Sequence, residues 1–367
     1  MQELDTKPID LIEYFSSKGY NAISVDGYRV INSYTSKVAE IESLYSGVGL
    51  RNISHYGIIE LKGKDVLEFL HRISTNATKD LLKAHTNITV FTSDKGRIIG
   101  VGRLINFEDY QLLVCSRSNK QKVISWIRKY VIGDDVDVND VNGKYNLLEL
   151  SGPQADSFMS LICGDVINSI EKDSFKIMYS DNLLFFLIKL VDERGHIKFW
   201  LLADVENSKK LIDKMVEYDG PFDFNLIGEE AYNIFRVEQG IPAAPDELND
   251  NYNPHEARLM KYVDTEKGCY IGQEVVERLS TYNKVQKYLC GVNFSEEFSS
   301  DKPFHLFSSD GNEAGIVTST VHSVKLDRQI GLAYIRKAYM EEGTILKVDS
   351  SDGNEIDVTV CNLPFVR

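Results

Sequence analysis

Glu60-Leu61-Lys62-Gly63 closes one strand-like apolar stretch, and Glu149-Leu150-Ser151-Gly152 closes another 89 residues later (149 − 60). A strand-plus-glycine signal given twice at that spacing constrains the chain to build two similar units. The residues after each glycine agree: Phe69, Leu70 and Ile73 in the first copy answer to Phe158, Met159 and Ile162 in the second, at helical spacing. Val90 to Leu104 then reads as a hairpin around Ser93-Asp94-Lys95-Gly96, and Leu184 to Leu202 as a hairpin around Glu193-Arg194-Gly195. Helical faces follow, Val123, Ile124, Ile127 and Tyr130 in the first copy and Leu211, Ile212 and Met215 in the second. The repeating unit is strand, helix, hairpin, helix.

Each unit buries one sheet face under its helices and leaves an apolar face to pack against the other copy, with a central pocket between them. From Lys287 onward the pattern changes to short strands broken at Ser309 to Gly311, Glu342-Gly343 and Ser351 to Gly353, which reads as a small all-β domain. With 367 residues, 43% of them hydrophobic, the chain suits two or three domains. It has no apolar run of membrane-spanning length, and its opening Met1-Gln2-Glu3-Leu4-Asp5 is acidic, so a soluble, cytoplasmic protein without a membrane partner is expected. The formal charge of −14 argues against direct nucleic-acid binding. An anionic small molecule needs a locally basic pocket.

Five scattered cysteines with no Cys-x-x-Cys pair and no His cluster exclude a disulfide scaffold and a zinc finger, and no metal site is assigned. Cys115, Cys163, Cys290 and Cys361 lie in apolar contexts and are assigned to the core. Cys269 differs. It stands in Lys267-Gly268-Cys269-Tyr270-Ile271-Gly272-Gln273-Glu274, just ahead of a short helical pattern through Val275, Val276 and Leu279. Helix-end amides and Lys267 two residues away would favour its thiolate. Taken alone, though, the pattern also suits a small buried core thiol.

Arg236-Val237-Glu238-Gln239-Gly240-Ile241-Pro242 ends a helical stretch. A carboxylate there can accept the two-donor edge of a pterin ring, and equally forms a surface group or a helix-end salt bridge with Arg236. Ser54-His55-Tyr56-Gly57 opens the first strand. His55 reads as a structural histidine, and Tyr56 and Tyr232 as aromatic walls for a flat heterocycle or as ordinary packing, nineteen tyrosines making any one unremarkable.

The octapeptide from Lys267 to Glu274 resembles the signature of the YgfZ-type folate-binding proteins of the aminomethyltransferase (glycine cleavage T-protein)-like superfamily. Gly49 to His55, the Glu60-Leu61-x-Gly63 strand, Arg236 to Pro242 and Asn362-Leu363-Pro364-Phe365 are similar to the same superfamily. The resemblance implies an α+β fold: a lead-in over 1–48, duplicated ferredoxin-like or split β-α-β units forming the folate-binding domain over 49–285, and a C-terminal β-barrel over 286–367. It further implies tetrahydrofolate or a one-carbon derivative in a channel between the units, Tyr56 and Tyr232 against the folate, Glu238 on the pterin, and Cys269, supported by Lys267, as the functional thiol.

One departure separates the branches. The aminomethyltransferases of glycine cleavage carry an acidic pair after the Gly-x-Ile-x turn, whereas Gly96-Arg97-Ile98-Ile99 is followed here by Gly100-Val101. Neither residue moves a proton. The expected function is therefore a folate-binding accessory protein for iron-sulfur cluster assembly or repair, with iron-sulfur client enzymes as partners and an indirect effect on tRNA modification. Two alternatives stand beside it: an aminomethyltransferase whose acid has moved, for instance to Asp94 or Asp109, and a non-catalytic folate-binding module with a structural Cys269.

Overall fold

The computed structural model describes residues 10–366 except Asp26, Asp181, Asp219 and 350–354. The acidic opening at Met1 to Asp5 and the turn at Ser351 to Gly353 lie outside the described residues. The chain begins with helix α1 (Leu11–Ser17), a hairpin of β1 (Ala22–Val25) and β2 (Tyr28–Ile31), helix α2 (Lys37–Ser46) and strand β3 (Val48–Asn52). A first unit follows: β4 (Gly57–Lys62), α3 (Val66–Ile73), β5 (Thr86–Thr92), β6 (Ile98–Asn106), β7 (Gln111–Cys115), α4 (Arg117–Tyr130) and β8 (Asp137–Asp140). A second runs in the same order: β9 (Asn146–Ser151), α5 (Ala155–Cys163), β10 (Ser174–Ser180), β11 (Leu183–Val191), β12 (Ile197–Ala203), α6 (Val205–Val216) and β13 (Phe224–Ile227).

The first sheet has the order β5-β6-β7-β4-β8 and the second β10-β11-β12-β9-β3-β13, the same arrangement with β3 inserted. Each unit holds a three-stranded meander and is one strand richer than a split β-α-β unit. This corrects the expected equivalence of the two hairpins. The Asp94 turn joins β5 to β6, the first pair of its meander, whereas the Glu193 turn joins β11 to β12, the second pair of its own.

The repeated glycine has a physical cause in both copies. Gly63 and Gly152 have φ of +127° and +118°, and a Cβ there would lie 1.9 Å from the Asp135 carbonyl oxygen and 2.4 Å from that of Gly47. Only glycine turns the chain into the following helix at such a contact. Val66, Phe69, Leu70 and Ile73 of α3 are buried at i, i+3, i+4 and i+7. Phe158 and Met159 of α5 are buried and Ile162 packs at the core's edge.

The two sheets meet face to face. Ile58, Ile105, Leu112 and Val114 of the first pack against Leu147, Ile188, Leu190, Trp200 and Leu202 of the second. Burial of each such aliphatic side chain contributes about 1.5–3 kcal/mol, so the centre of this layer is packed core. α1 covers the second sheet through Leu11, Ile12 and Phe15, which makes part of the lead-in a component of that core.

After α7 (Glu229–Glu238) and α8 (Gln273–Thr281) the chain closes a six-stranded barrel from β14 (Lys287–Phe294), β15 (Phe304–Phe307), β16 (Glu313–Ser323), β17 (Arg328–Arg336), β18 (Ile345–Asp349) and β19 (Glu355–Cys361), in the order β14-β17-β16-β15-β18-β19. Cys115 and Cys290 are buried, and Cys163 and Cys361 half-buried. No helix among the described residues is long and apolar enough to cross a membrane.

Candidate functional site

β3 places Arg51 opposite Glu149 of β9, and Glu149 lies opposite Trp200 of β12, so the three side chains form a row on the face that looks toward the first sheet. Trp200 Nε1 and Lys198 Nζ both donate to Glu149 Oε2 at 2.9 Å. Burial alone would raise the Glu149 pKa, but Lys198, Arg51 and the Trp200 hydrogen bond overcome it and hold the carboxyl down at about 2. Because the folded value lies below the ordinary 4.5, this group's stabilisation is complete above pH 4.5 and is lost as pH falls toward 2. Glu149→Gln is therefore expected to remove part of the acid limb of the stability profile. An unchanged limb in urea titrations between those values would show that the ion row is solvated.

Arg51 is only 5% exposed. Its guanidinium carbon lies 3.4 Å from the Tyr232 ring centroid and 5.7 Å from that of Tyr56. The nearest carboxylates, Glu149 at 3.9 Å and Glu229 at 3.7 Å, stand beyond hydrogen-bond distance, and Nε and Nη1 have no hydrogen-bond acceptor. Buried donors of this kind are costly to leave unpaired. The structure thus brings the two tyrosines singled out from sequence onto one guanidinium that sequence reasoning passed over. Its signal was a lone charge inside the apolar stretch from Val48 to Ile53. His55 packs edge-on to Tyr56 at 5.0 Å; burial, then Arg51 and Arg117, push its pKa down to about 3, so it is neutral.

Glu238 is placed elsewhere. It is the last residue of α7, six residues or about 9 Å along the helix from Tyr232. Its side chain is fully buried, Oε2 accepting from Tyr45 Oη at 2.7 Å and Oε1 from Ser323 Oγ at 2.6 Å and Lys325 N at 3.3 Å. Three of the roughly four acceptor positions of this carboxylate are thus taken by the protein itself. Glu238, the residue expected on the pterin, fastens α7 to α2 and to the barrel in this structure. Arg236 pairs with Glu247, at 3.1 Å, and not with Glu238, and ties α7 to the barrel through Ser319.

Cys269 is exposed, and α8 begins after it with Gly272 as N-cap. The Lys267 side chain runs to α3. Its buried ammonium donates to the carbonyl oxygens of His71, Ser74 at 2.6 Å and Asn76 at 3.0 Å, closing the C-terminal end of α3. Burial lowers its pKa to about 8. The Cys269 loop is pinned to the β5–β6 turn by Thr92 Oγ1 donating to Ile271 O at 2.5 Å.

The register row Gly57–Cys115–Gly102–Thr89 crosses the first sheet, so Tyr56 and the Cys269 loop share one end of that sheet. Three strand spacings, roughly 14 Å, separate them. Val237, the neighbour of Glu238, packs in one cluster with Val90 and Ile98 of that sheet, while the Glu238 carboxylate is held by Tyr45 and Ser323. The recess of about 280 Å³ between Asn293, Arg328, Glu342, Cys361 and Phe365 lies on the barrel and contains neither Glu238 nor Cys269.

Position 100 has no room for an acid. A Cβ on Gly100 would lie 2.5 Å from Val123 Cγ2, and Val101 packs into the apolar cluster between sheet and barrel. Asp94 and Asp109 are exposed, at turns on opposite ends of β6.

The GCVT N-terminal domain family matches residues 11–267, and the glycine cleavage T-protein C-terminal barrel domain family matches residues 289–367. The chain belongs to the GCVT family. A relative, a putative chloroplastic transferase of Arabidopsis thaliana, is 27% identical over 97% of this chain and 79% of its own length. An aminomethyltransferase of Desulfitobacterium hafniense is 26% identical over 95% of this chain and 94% of its own. The GCVT fold is also that of glycine cleavage system aminomethyltransferase T from Bartonella henselae, which superposes with a TM-score of 0.84 at 22% identity, covering 97% of each chain. For a reduced folate, the group this family binds, Arg51 with its unpaired donors, Tyr56 and Tyr232 fit.

Proposed function

We propose that this chain binds tetrahydrofolate or a one-carbon derivative at Arg51, Tyr56 and Tyr232 and, through Cys269, supports the assembly or repair of iron-sulfur enzymes, among them enzymes that modify tRNA. The observation that carries the folate reading is the buried guanidinium with two nitrogens lacking acceptors, stacked on Tyr232, in a member of the GCVT family. A pterin carbonyl or folate carboxylate supplies the missing acceptors, and the ring faces supply the stacking. The exposed thiol in the signature octapeptide and the packed Gly100-Val101 site support an accessory role over transfer chemistry.

Calorimetric titration with 5-formyltetrahydrofolate is expected to show binding that Arg51→Met weakens by about 1.5–3 kcal/mol, the range for hydrogen bonds to a charged group. Equal affinity in that variant removes Arg51 from the site. For the thiol, a deletion strain should lose iron-sulfur enzyme activity under oxidative stress and regain it with wild type but not with Cys269→Ala; rescue by the alanine variant defeats the cysteine's part.

Aminomethyl transfer is the second reading, favoured by the name of the Desulfitobacterium relative. Folate-dependent ammonia release from an aminomethylated lipoyl protein tests it, and zero turnover removes it.

A further inference from the structure

The recess of about 280 Å³ on the barrel is shaped by the register of three strands. Asn293 of β14 lies opposite Ile330 of β17 on one side and Thr359 of β19 on the other. Arg328 stands two residues before Ile330, on the same face of β17. Gly343 N donates to Val360 O at 2.9 Å, which sets Glu342 beside the end of β19. Arg328 and Glu342 therefore reach the recess from opposite sides of Asn293, across two strand spacings or roughly 10 Å. The Phe365 ring forms a third side, laid so closely on β14 that a Cβ on Gly291 would lie 2.7 Å from its Cζ, and Leu326 and Pro364 extend this apolar wall. The polar groups of the recess lack complements. Asn293 Oδ1 is buried and accepts no hydrogen bond among the described residues. Arg328 is exposed and reaches only Leu326 O, at 3.4 Å, while Glu342 is exposed and accepts from Asn362 Nδ2 at 2.7 Å. Nearby Lys325 holds Glu42 and Arg336 holds Glu313, whereas Arg328 and Glu342 make no ion pair among the described residues. The Cys361 thiol adds no charge, because burial and then Glu342 push its pKa up to about 12.

We propose that this recess binds a free α-amino acid with an apolar side chain, its carboxylate on Arg328, its ammonium between Glu342 and Asn293 Oδ1, and its side chain on Phe365. Three observations converge on it: an unpaired cation and an unpaired carboxylate facing each other across one cavity, a buried acceptor between them, and an apolar wall beside all three. A simple anion satisfies Arg328 and leaves the Asn293 acceptor without a donor, at the usual cost of an unpaired buried group. A simple cation leaves the guanidinium unused. A zwitterion meets both, and only one with an apolar side chain also covers the Phe365 ring. The volume falls below the roughly 300–1,000 Å³ of sites for drug-sized ligands, which suits an amino acid and excludes a folate. The assignment is independent of the folate reading at Arg51. Phe365 N also donates to the Glu238 carbonyl at 2.8 Å, so an occupant of the recess touches the segment that holds the end of α7.

The full chain is titrated calorimetrically with three probes: L-phenylalanine, 3-phenylpropionate, which lacks the ammonium, and 2-phenylethylamine, which lacks the carboxylate. L-Phenylalanine is expected to bind about tenfold more tightly than either of the others. Arg328→Gln should weaken L-phenylalanine and phenylpropionate by about tenfold and leave phenylethylamine unchanged, and Glu342→Gln should weaken L-phenylalanine and phenylethylamine and spare phenylpropionate. Both residues are exposed, so both variants are expected to fold. Equal affinity for the three probes, or losses that do not follow the charge removed, overturn the zwitterion assignment. Absence of binding by both L-phenylalanine and L-leucine at about 10 mM overturns the site itself.

Discussion

Replacing Glu247 by glutamine is expected to lower the unfolding free energy by about 3–5 kcal/mol, the cost of leaving a buried charge without its counterion. Glu247 is fully buried and accepts from Arg236 Nη1 at 3.1 Å, Ala243 N at 3.0 Å, Thr318 Oγ1 at 2.5 Å and Ser319 Oγ at 2.7 Å. Arg236 is itself buried and donates from Nη2 to Ser319 Oγ at 2.9 Å. The amide of a glutamine would turn a donor toward groups that are already donors, while the guanidinium keeps its charge. Thr318 and Ser319 belong to β16, so the variant also loosens the barrel from α7. Urea denaturation followed by fluorescence reads the change in midpoint, and a loss below about 1 kcal/mol would mean that water reaches the pair.

The second large effect is expected at Glu238, on stability and not on ligand affinity. Glu238→Ala leaves the Tyr45 and Ser323 hydroxyls and the Lys325 amide without their acceptor, at a cost of about 2–4 kcal/mol. The C-terminal segment feels it as well, since Phe365 N donates to the Glu238 carbonyl at 2.8 Å beside the altered side chain. Folate titration of the same variant, below its unfolding midpoint, should give the wild-type constant. A weakened constant with unchanged stability would return this carboxylate to the binding site.

The contrast between Glu238 and Tyr232 shows what the sequence carried. The repeat at 89 residues was legible because the glycine and the helix after it obey local rules, and the structure preserves the spacing: β9 begins 89 residues after β4 (146 − 57) and β10 begins 88 after β5 (174 − 86). The hairpins were matched one strand out of step. Gly96 and Gly195 are 99 residues apart (195 − 96), and that departure was the sign that they are not equivalent. The barrel was legible in part, from turn residues between short strands.

Side-chain partners were not legible, because they come from far along the chain. Tyr45, which occupies one oxygen of Glu238, is 193 residues away, and the carbonyls that take Lys267 are over 190 away. No local pattern distinguishes a carboxylate that waits for a ligand from one that a distant hydroxyl has already satisfied. Arg51 escaped for the opposite reason. A cation in a short strand reads as an exposed edge until the second sheet and α7 enclose it.

Strand β3 lies between β9 and β13, whose first residues are made 98 (146 − 48) and 176 (224 − 48) positions later. Until β9 is made the segment bearing Arg51 has neither lateral neighbour, and from then until β13 it has one. β13 and α7 supply the second neighbour and the Tyr232 ring that complete the enclosure. A nascent chain arrested after the first sheet consequently lacks both strands that flank β3 and the Tyr232 ring that covers the Arg51 guanidinium.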